Sequence, residues 1–286
     1  MLFYELLESN EQEMTVMKKL ISSALISWFV VFAVSANGGP FEDGVAAYER
    51  KDYVTAAKLM RVAADQGDSF AQSILGVMYV NGQGVIQDYK EAVKWYRLSA
   101  DQGYASAQYN LGLMYAQGQG VTQDYKEAVK WYRLSADQGN AKAQTNLGLM
   151  YDNGQGVTQD YKEAVKWFRL SAHQGNAKAQ TNLGLMYEDG QGVIKDYKEA
   201  VKWYRLSADQ GDAHAQSNLG AMYANGKAVT QDYVRAHMWL NISASSGDKD
   251  AEANRDIIAK RMTPTQIEKA QEMARRCYSS NFKNCD

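Results

Sequence analysis

Proline is nearly absent from these 286 residues, with only Pro40 and Pro264 present. Because proline removes a helical N–H donor and clashes with the preceding turn, nothing between those two positions interrupts a helical pattern. Cysteine is as scarce. Cys277 and Cys285 are the only two, and neither belongs to a Cys-x-x-Cys pair, which speaks against a dithiol redox enzyme or a zinc site of that type. The three histidines, His173, His214 and His237, offer no pair with ligand spacing on a common helix face, so neither a metal site nor a cofactor is expected. No charge of one sign dominates: 31 basic against 33 acidic side chains leave a net of -2. That balance gives no electrostatic reason to hold nucleic acid or an anionic membrane surface.

Long apolar runs are also missing, with one exception. Leu20–Ala33, diluted by Ser22, Ser23 and Trp28, is too short for a comfortable membrane span, and no stop-transfer pattern follows it. Met17-Lys18-Lys19 precedes it and Val34-Ser35-Ala36 follows it, which is the layout of a secretory signal. Residues 1–36 are therefore expected to be a signal peptide, with translation starting at Met17 and cleavage after Ala36. The acidic stretch before Met17 does not suit a signal. The mature chain is expected in the periplasm or outside the cell, as a monomer without an integral membrane span. In such an oxidising compartment Cys277 and Cys285 are expected to pair. On a chain-entropy account, closing so short a loop is worth roughly 2–3 kcal/mol.

What the chain has in abundance is itself. Asn140–Gly175 reads NAKAQTNLGLMYDNGQGVTQDYKEAVKWFRLSAHQG, and Asn176–Gly211 repeats it almost letter for letter. Asp68–Gly103, Tyr104–Gly139 and Asp212–Gly247 are further copies, making five consecutive 36-residue units. A fixed period of this size marks a solenoid, whose units are stable only when stacked. In Tyr104–Gly139, Ala107, Leu111, Met114 and Tyr115 give one apolar helix face. Gly112 on that helix would let another helix approach closely. The loop Gln117-Gly118-Gln119-Gly120-Val121 stops the helix. Asp124 followed by Glu127 reads as an N-cap with a capping box. Tyr125, Ala128, Val129 and Tyr132 are expected as the buried stripe of a second helix, widened by Trp131 and Leu134. Lys126, Lys130, Arg133 and Asp137 fall on its solvated side. The row Trp95, Trp131, Trp167, Trp203 and Trp239 recurs at one position and reads as packing between successive helix pairs. The Gly-x-Gly loops have no preceding strand and no following Lys-Ser/Thr, so they read as turns rather than phosphate cradles.

These residues resemble the Sel-one-like repeat family, a relative of the tetratricopeptide repeat. The pattern is carried by Ala143-Gln144-x-x-Leu147-Gly148-x-Met150-Tyr151, Gly154-x-Gly156-Val157, Asp160-Tyr161, Ala164, Trp167 and Ser171-Ala172. The resemblance implies an all-α fold, a right-handed α-solenoid of antiparallel helix pairs, acting as an adaptor or assembly scaffold, and often exported in bacteria. Two regions depart from it. Residues 37–67 lack the Gly-x-Gly-Val insertion and read as an N-terminal cap of tetratricopeptide type, ahead of the five units at 68–247. Residues 248–286 read as a helical C-terminal cap with the disulfide: Lys249–Arg261 as one helix, then another opened by Thr263-Pro264-Thr265-Gln266. Ala228 and Arg235 replace a loop glycine and the capping-box Glu.

Positions that vary between copies point to where function sits. Phe70, Ser106, Lys142, Lys178 and His214 share one place, and Ser73, Tyr109, Thr145, Thr181 and Ser217 another. Between them Asn110, Asn146, Asn182 and Asn218 form an amide ladder. If first helices line the concave side, these residues form a surface for a protein or peptide, with Tyr109 and Phe70 as aromatic anchors. The ladder has a second reading, in which each Asn bonds the neighbouring repeat. Rows of Lys94/Arg97, Lys130/Arg133, Lys166/Arg169 and Lys202/Arg205 are interleaved with glutamates and read as a solvated convex face. Some relatives are described as binding or hydrolysing β-lactams, which would need a serine nucleophile. Ser246-x-x-Lys249 and Ser280-x-x-Lys283 are the two candidate strings, but no Ser-Asp-Asn or Lys-Thr-Gly partner follows. No enzyme is expected. A β-lactam- or peptidoglycan-directed activity and a secreted factor acting on host proteins remain the alternatives.

Overall fold

A computed structural model describes residues 38–283 and Cys285; the expected signal peptide, 1–36, lies outside the described residues. Among the described residues there are 14 helices and no strand, in an α-solenoid arrangement of consecutive pairs. They divide into two compact units, the first ending at Gln102 and the second beginning at Gly103.

The first unit holds α1 (Pro40–Glu49), α2 (Tyr53–Asp65), α3 (Ser69–Asn81) and α4 (Tyr89–Asp101). Its core joins Ala47, Ala56, Met60, Leu75, Met78 and Trp95. The second unit holds four pairs: α5 (Ala105–Gln117) with α6 (Tyr125–Asp137), α7 (Ala141–Asn153) with α8 (Tyr161–His173), α9 (Ala177–Asp189) with α10 (Tyr197–Ala208), and α11 (Ala213–Asn225) with α12 (Tyr233–Ser245). Two terminal helices, α13 (Lys249–Ala259) and α14 (Pro264–Ser279), complete it.

Each first helix and its partner meet at a glycine. A Cβ on Gly148 would stand 2.6 Å from the Phe168 ring, and one on Gly112 equally close to Tyr132. The missing side chain is what admits an aromatic ring between the helices. Successive pairs are joined as the tryptophan row predicts: Trp167 on α8 shares a core with Tyr109, Val129, Tyr132, Leu147 and Met150, and Trp203 one with Val165, Phe168 and Leu183.

The loop after each first helix ends in an aspartate N-cap. Asp124 accepts the N–H groups of Lys126 and Glu127 at 2.9 and 3.1 Å. The second half of the expected capping box is absent, because the Asp124 N–H already donates to the Tyr115 carbonyl at 3.0 Å. Glu127 turns instead to Lys130, 3.6 Å away. The replacement of this Glu by Arg235 leaves the cap in place: Asp232 still accepts the Arg235 N–H, at 3.0 Å. A full box does form at α14, where Thr263 and Gln266 cap each other and Pro264 takes the first helical position.

Two expectations for the second helices need correction. Leu134 does not widen the buried stripe; it is 43% exposed, like Leu206. Arg133 is not on a solvated side, since it reaches the Tyr151 hydroxyl of the next pair. At the C-terminal end the outer face is covered. Met238 and Ile242, in the register of exposed Lys202 and Leu206, are 0% and 2% exposed. They share a core with Ile258, Ala274 and Cys277 of the terminal helices. Closing helices of this kind are what a repeat array needs at its end.

Candidate functional site

The second unit is threaded by ladders of polar side chains, and most of them close on the stack. Ser135, Ser171, Ser207 and Ser243, all fully buried, place Oγ 2.7–2.8 Å from the first carbonyl of their own pair's opening helix, as in Ser171 to Ala141. Gln144 and Gln180 donate Nε2 to carbonyls of the preceding pair, Ala136 and Ala172, each at 3.1 Å. Their Oε1 atoms accept from Gln174 and Gln210 at 2.8 Å. Arg169 and Arg205 reach Tyr187 and Tyr223 in the following pairs at 3.0 and 2.5 Å. The serine and glutamine ladders satisfy groups that burial would otherwise strand at a cost of about 1–3 kcal/mol.

Several residues expected on the binding face belong to this internal network. Thr145 and Thr181 are buried, each sharing a 2.8 Å hydrogen bond with the serine of its own pair, Ser171 or Ser207. Tyr109 is buried as well, its ring centroid 6.0 Å from that of Tyr132. Burial pushes its hydroxyl up to about 12, and a hydrogen bond with Asn146 pulls in the opposite direction. Asn146 also bonds Tyr132, whose hydroxyl is raised by burial and by the neighbouring Tyr109. The Tyr109 position thus supplies a packing contact where an exposed aromatic anchor was expected. It is buried because the Asn146 amide gives both phenols a partner inside the stack.

The remaining amides differ from one another. Asn110 is buried with its Oδ1 unpartnered. Asn182 on α9 and Asn218 on α11 are half-buried and make no side-chain hydrogen bond among the described residues. They occupy one register position on consecutive first helices, four residues after Lys178 and His214 and therefore on the same helix face. Lys178 and His214 are exposed and Lys142 is half-buried. His214 lies within electrostatic reach of Asp248, the N-cap of α13. In the first unit, Phe70 is exposed and its ring lies 6.5 Å from Phe41.

Six segments of the chain, 41–68, 69–104, 105–140, 141–176, 177–212 and 213–248, match the family model for the Sel1 repeat. The chain belongs to the Sel1 repeat family. The first Sel1 match takes in the shorter segment read above as an N-terminal cap. Among solved structures, the chain is similar to a Sel1 repeat protein from Oxalobacter formigenes at 34% identity, with a TM-score of 0.75 over 87% of this chain and 98% of that one. It is also similar to a protective antigen of uropathogenic Escherichia coli strains with an SLR fold, at 38% identity and a TM-score of 0.74. That alignment covers 86% of this chain and 54% of the other, so the chain spans about half the length of the E. coli relative. No curated protein matches it. Sel1 repeat proteins serve in general as non-catalytic scaffolds for protein interaction.

In this Sel1 repeat protein both candidate serines stand in turns. Ser246 is the C-cap of α12. Ser280 is the C-cap of α14, its Oγ 2.9 Å from the Cys277 carbonyl and 2.6 Å from that of Lys283. Cys277 and Cys285 are joined, with Cα atoms 4.8 Å apart. Among the described residues no helix is long and apolar enough to cross a membrane. The glutamine and arginine–tyrosine ladders escaped the reading of the sequence. Gln72, Gln108, Gln144, Gln180 and Gln216 recur without variation, and an invariant polar residue on an otherwise apolar face was the signal that could have found them.

Proposed function

We propose that this Sel1 repeat protein is an exported adaptor that binds a protein or peptide along the first helices of its second unit, with Asn182 and Asn218 as the hydrogen-bonding groups. The observation that carries the reading is a contrast. The serine, glutamine and arginine ladders are consumed by the stack, whereas these two amides stand open in register beside Lys178 and His214. An amide offers both a donor and an acceptor, which is what the main chain of an extended peptide requires. The Lys166–Glu163 and Lys202–Glu199 pairs on the second helices, at 3.2 and 3.1 Å, neutralise one another locally, so the opposite face has less to offer a charged ligand. Export would place the chain in the periplasm or beyond the cell, and the Cys277–Cys285 bond suits an oxidising compartment.

The test uses residues 37–286 as bait in envelope extracts beside Asn182→Arg/Asn218→Arg. Both positions are half-exposed, so the variant should fold, which circular dichroism checks. A protein retained by the parent and lost from the variant supports the reading; one retained equally by both refutes the placement. A second reading, a secreted factor meeting host proteins, is favoured by the E. coli relative being a protective antigen. Recovery of the chain from culture medium and not from periplasm would select it.

A further inference from the structure

The glycines that close each repeat share one backbone conformation, with φ between 88° and 95° at Gly67, Gly103, Gly139, Gly175, Gly211 and Gly247. Five of these six face open space. Gly211 alone is covered: a Cβ there would meet the Phe282 ring at 3.0 Å. The C-terminal tail thus returns to the turn between α10 and α11 and seats an aromatic side chain on it. Phe282 also meets Tyr278 edge to face at 5.6 Å and packs against the core that contains Cys277 and Cys285.

The tail does not adopt this path by preference. Asn281 and Phe282 are consecutive non-glycine residues in the left-handed region, at φ 55° and 64°. Bulky residues rarely occupy it, and they persist there only when the surroundings over-determine them. Here the surroundings are few. The Phe282 N–H donates to the Cys277 carbonyl at 2.9 Å, Ser280 Oγ lies close to the carbonyls of Cys277 and Lys283, and the Cys277–Cys285 bond closes the loop around them. Remove the covalent closure and two strained residues are left with the packing of the Phe282 ring and a handful of turn hydrogen bonds.

We propose that Cys277–Cys285 is a thiol-reversible clasp: oxidised, it holds Phe282 on Gly211 and closes the 207–212 turn; reduced, it releases the ring and opens that turn to other side chains. The reductant is a dithiol. One of its thiolates attacks a sulfur of the bridge, forming a mixed disulfide and expelling the other cysteine as a thiolate, which takes up a proton. The second reductant thiol then displaces the remaining cysteine, leaving two thiols here and a disulfide on the reductant.

Hydrogen exchange on the full chain tests this, with dithiothreitol as the probe. Reduced parent, Cys277→Ser/Cys285→Ser and oxidised Phe282→Ala are compared with oxidised parent. The expected result is at least fivefold faster exchange in 207–212 in all three, with the equivalent turn 171–176 unchanged as an internal reference. Phe282→Ala keeps the bridge, so it separates loss of the seat from general loosening of the C-terminal helices. Exchange in 207–212 that stays within twofold of the oxidised parent after reduction would overturn the clasp. So would equal acceleration of 171–176.

Discussion

Replacing Ser246 by glutamine should stabilise the C-terminal end of the array. Upstream, a glutamine at or next to the C-cap of each second helix, Gln138, Gln174 or Gln210, donates Nε2–H to the buried glutamine of the same pair at 2.7–2.8 Å. In the last pair that register position is Ser246, and the Oε1 of Gln216, on a fully buried side chain, has no donor. An unsatisfied buried acceptor costs about 1–3 kcal/mol, and ordering a long amide side chain takes back up to about 1.5–2 kcal/mol. The backbone at Ser246, φ −89° and ψ 5°, matches that at Gln174, φ −82° and ψ 1°, so no strain enters. The expected gain for Ser246→Gln is about 1 kcal/mol, or roughly 2–4 °C in Tm for a unit of this size. Gln174→Ala is the converse, stranding the Oε1 of buried Gln144 and losing about 1–2 kcal/mol. Denaturant titration reads both, and hydrogen exchange in 213–246 localises the first, since a repeat array need not unfold in one step. If both variants stayed within about 0.5 kcal/mol of the parent, the range of ordinary surface substitutions, the glutamine ladder would be shown to carry no energy.

Three further outcomes follow from the geometry. Gly156→Ala would put a Cβ 2.3 Å from the Tyr125 carbonyl at φ 71°, and left-handed strain plus backbone displacement should cost about 3 kcal/mol. By contrast Ala228→Gly, at φ 57° on an exposed loop, should change stability by less than about 1 kcal/mol because relief of strain and lost chain entropy nearly cancel; urea midpoints compare the two. Gly148→Ala should destabilise by about 1–3 kcal/mol through its clash with Phe168, and Phe168→Leu in the same chain should recover part of it, measured as a double-mutant cycle. His237 is buried, and burial, assisted by Arg255 and opposed by Asp256, holds its pKa below the usual 6.5. Its neutral form is the folded one, so its stabilising contribution is present above pH 6.5 and is lost as pH falls through the folded pKa. His237→Gln should flatten that part of the stability–pH curve.

How much of this was legible in the letters depended on whether a residue's role lay inside one repeat. The helix pairs, the aspartate caps, the glycine that admits a close helix and the tryptophan row all follow from period and residue type, and they stand where those placed them; the aromatic ring seated on that glycine does not follow from them. Roles that depend on the neighbouring repeat were harder to read. Tyr109 looked like an exposed anchor because its position is variable, yet Asn146, 37 residues on, supplies the amide that lets its hydroxyl be buried. Arg133 looked solvated by helical phase, yet its side chain is long enough to cross to Tyr151. Met238 and Ile242 carried the opposite signal: apolar residues where sister copies have lysine and leucine report the helix that covers them.

The most direct test of the adaptor account is site-specific photo-crosslinking in intact cells, with the photoreactive residue at position 182 on the first-helix face or at position 202 on the second. The account predicts one discrete crosslinked partner from 182, abolished by Asn218→Arg, and little or none from 202. Equal yields from both positions, or a partner found only from 202, would contradict it.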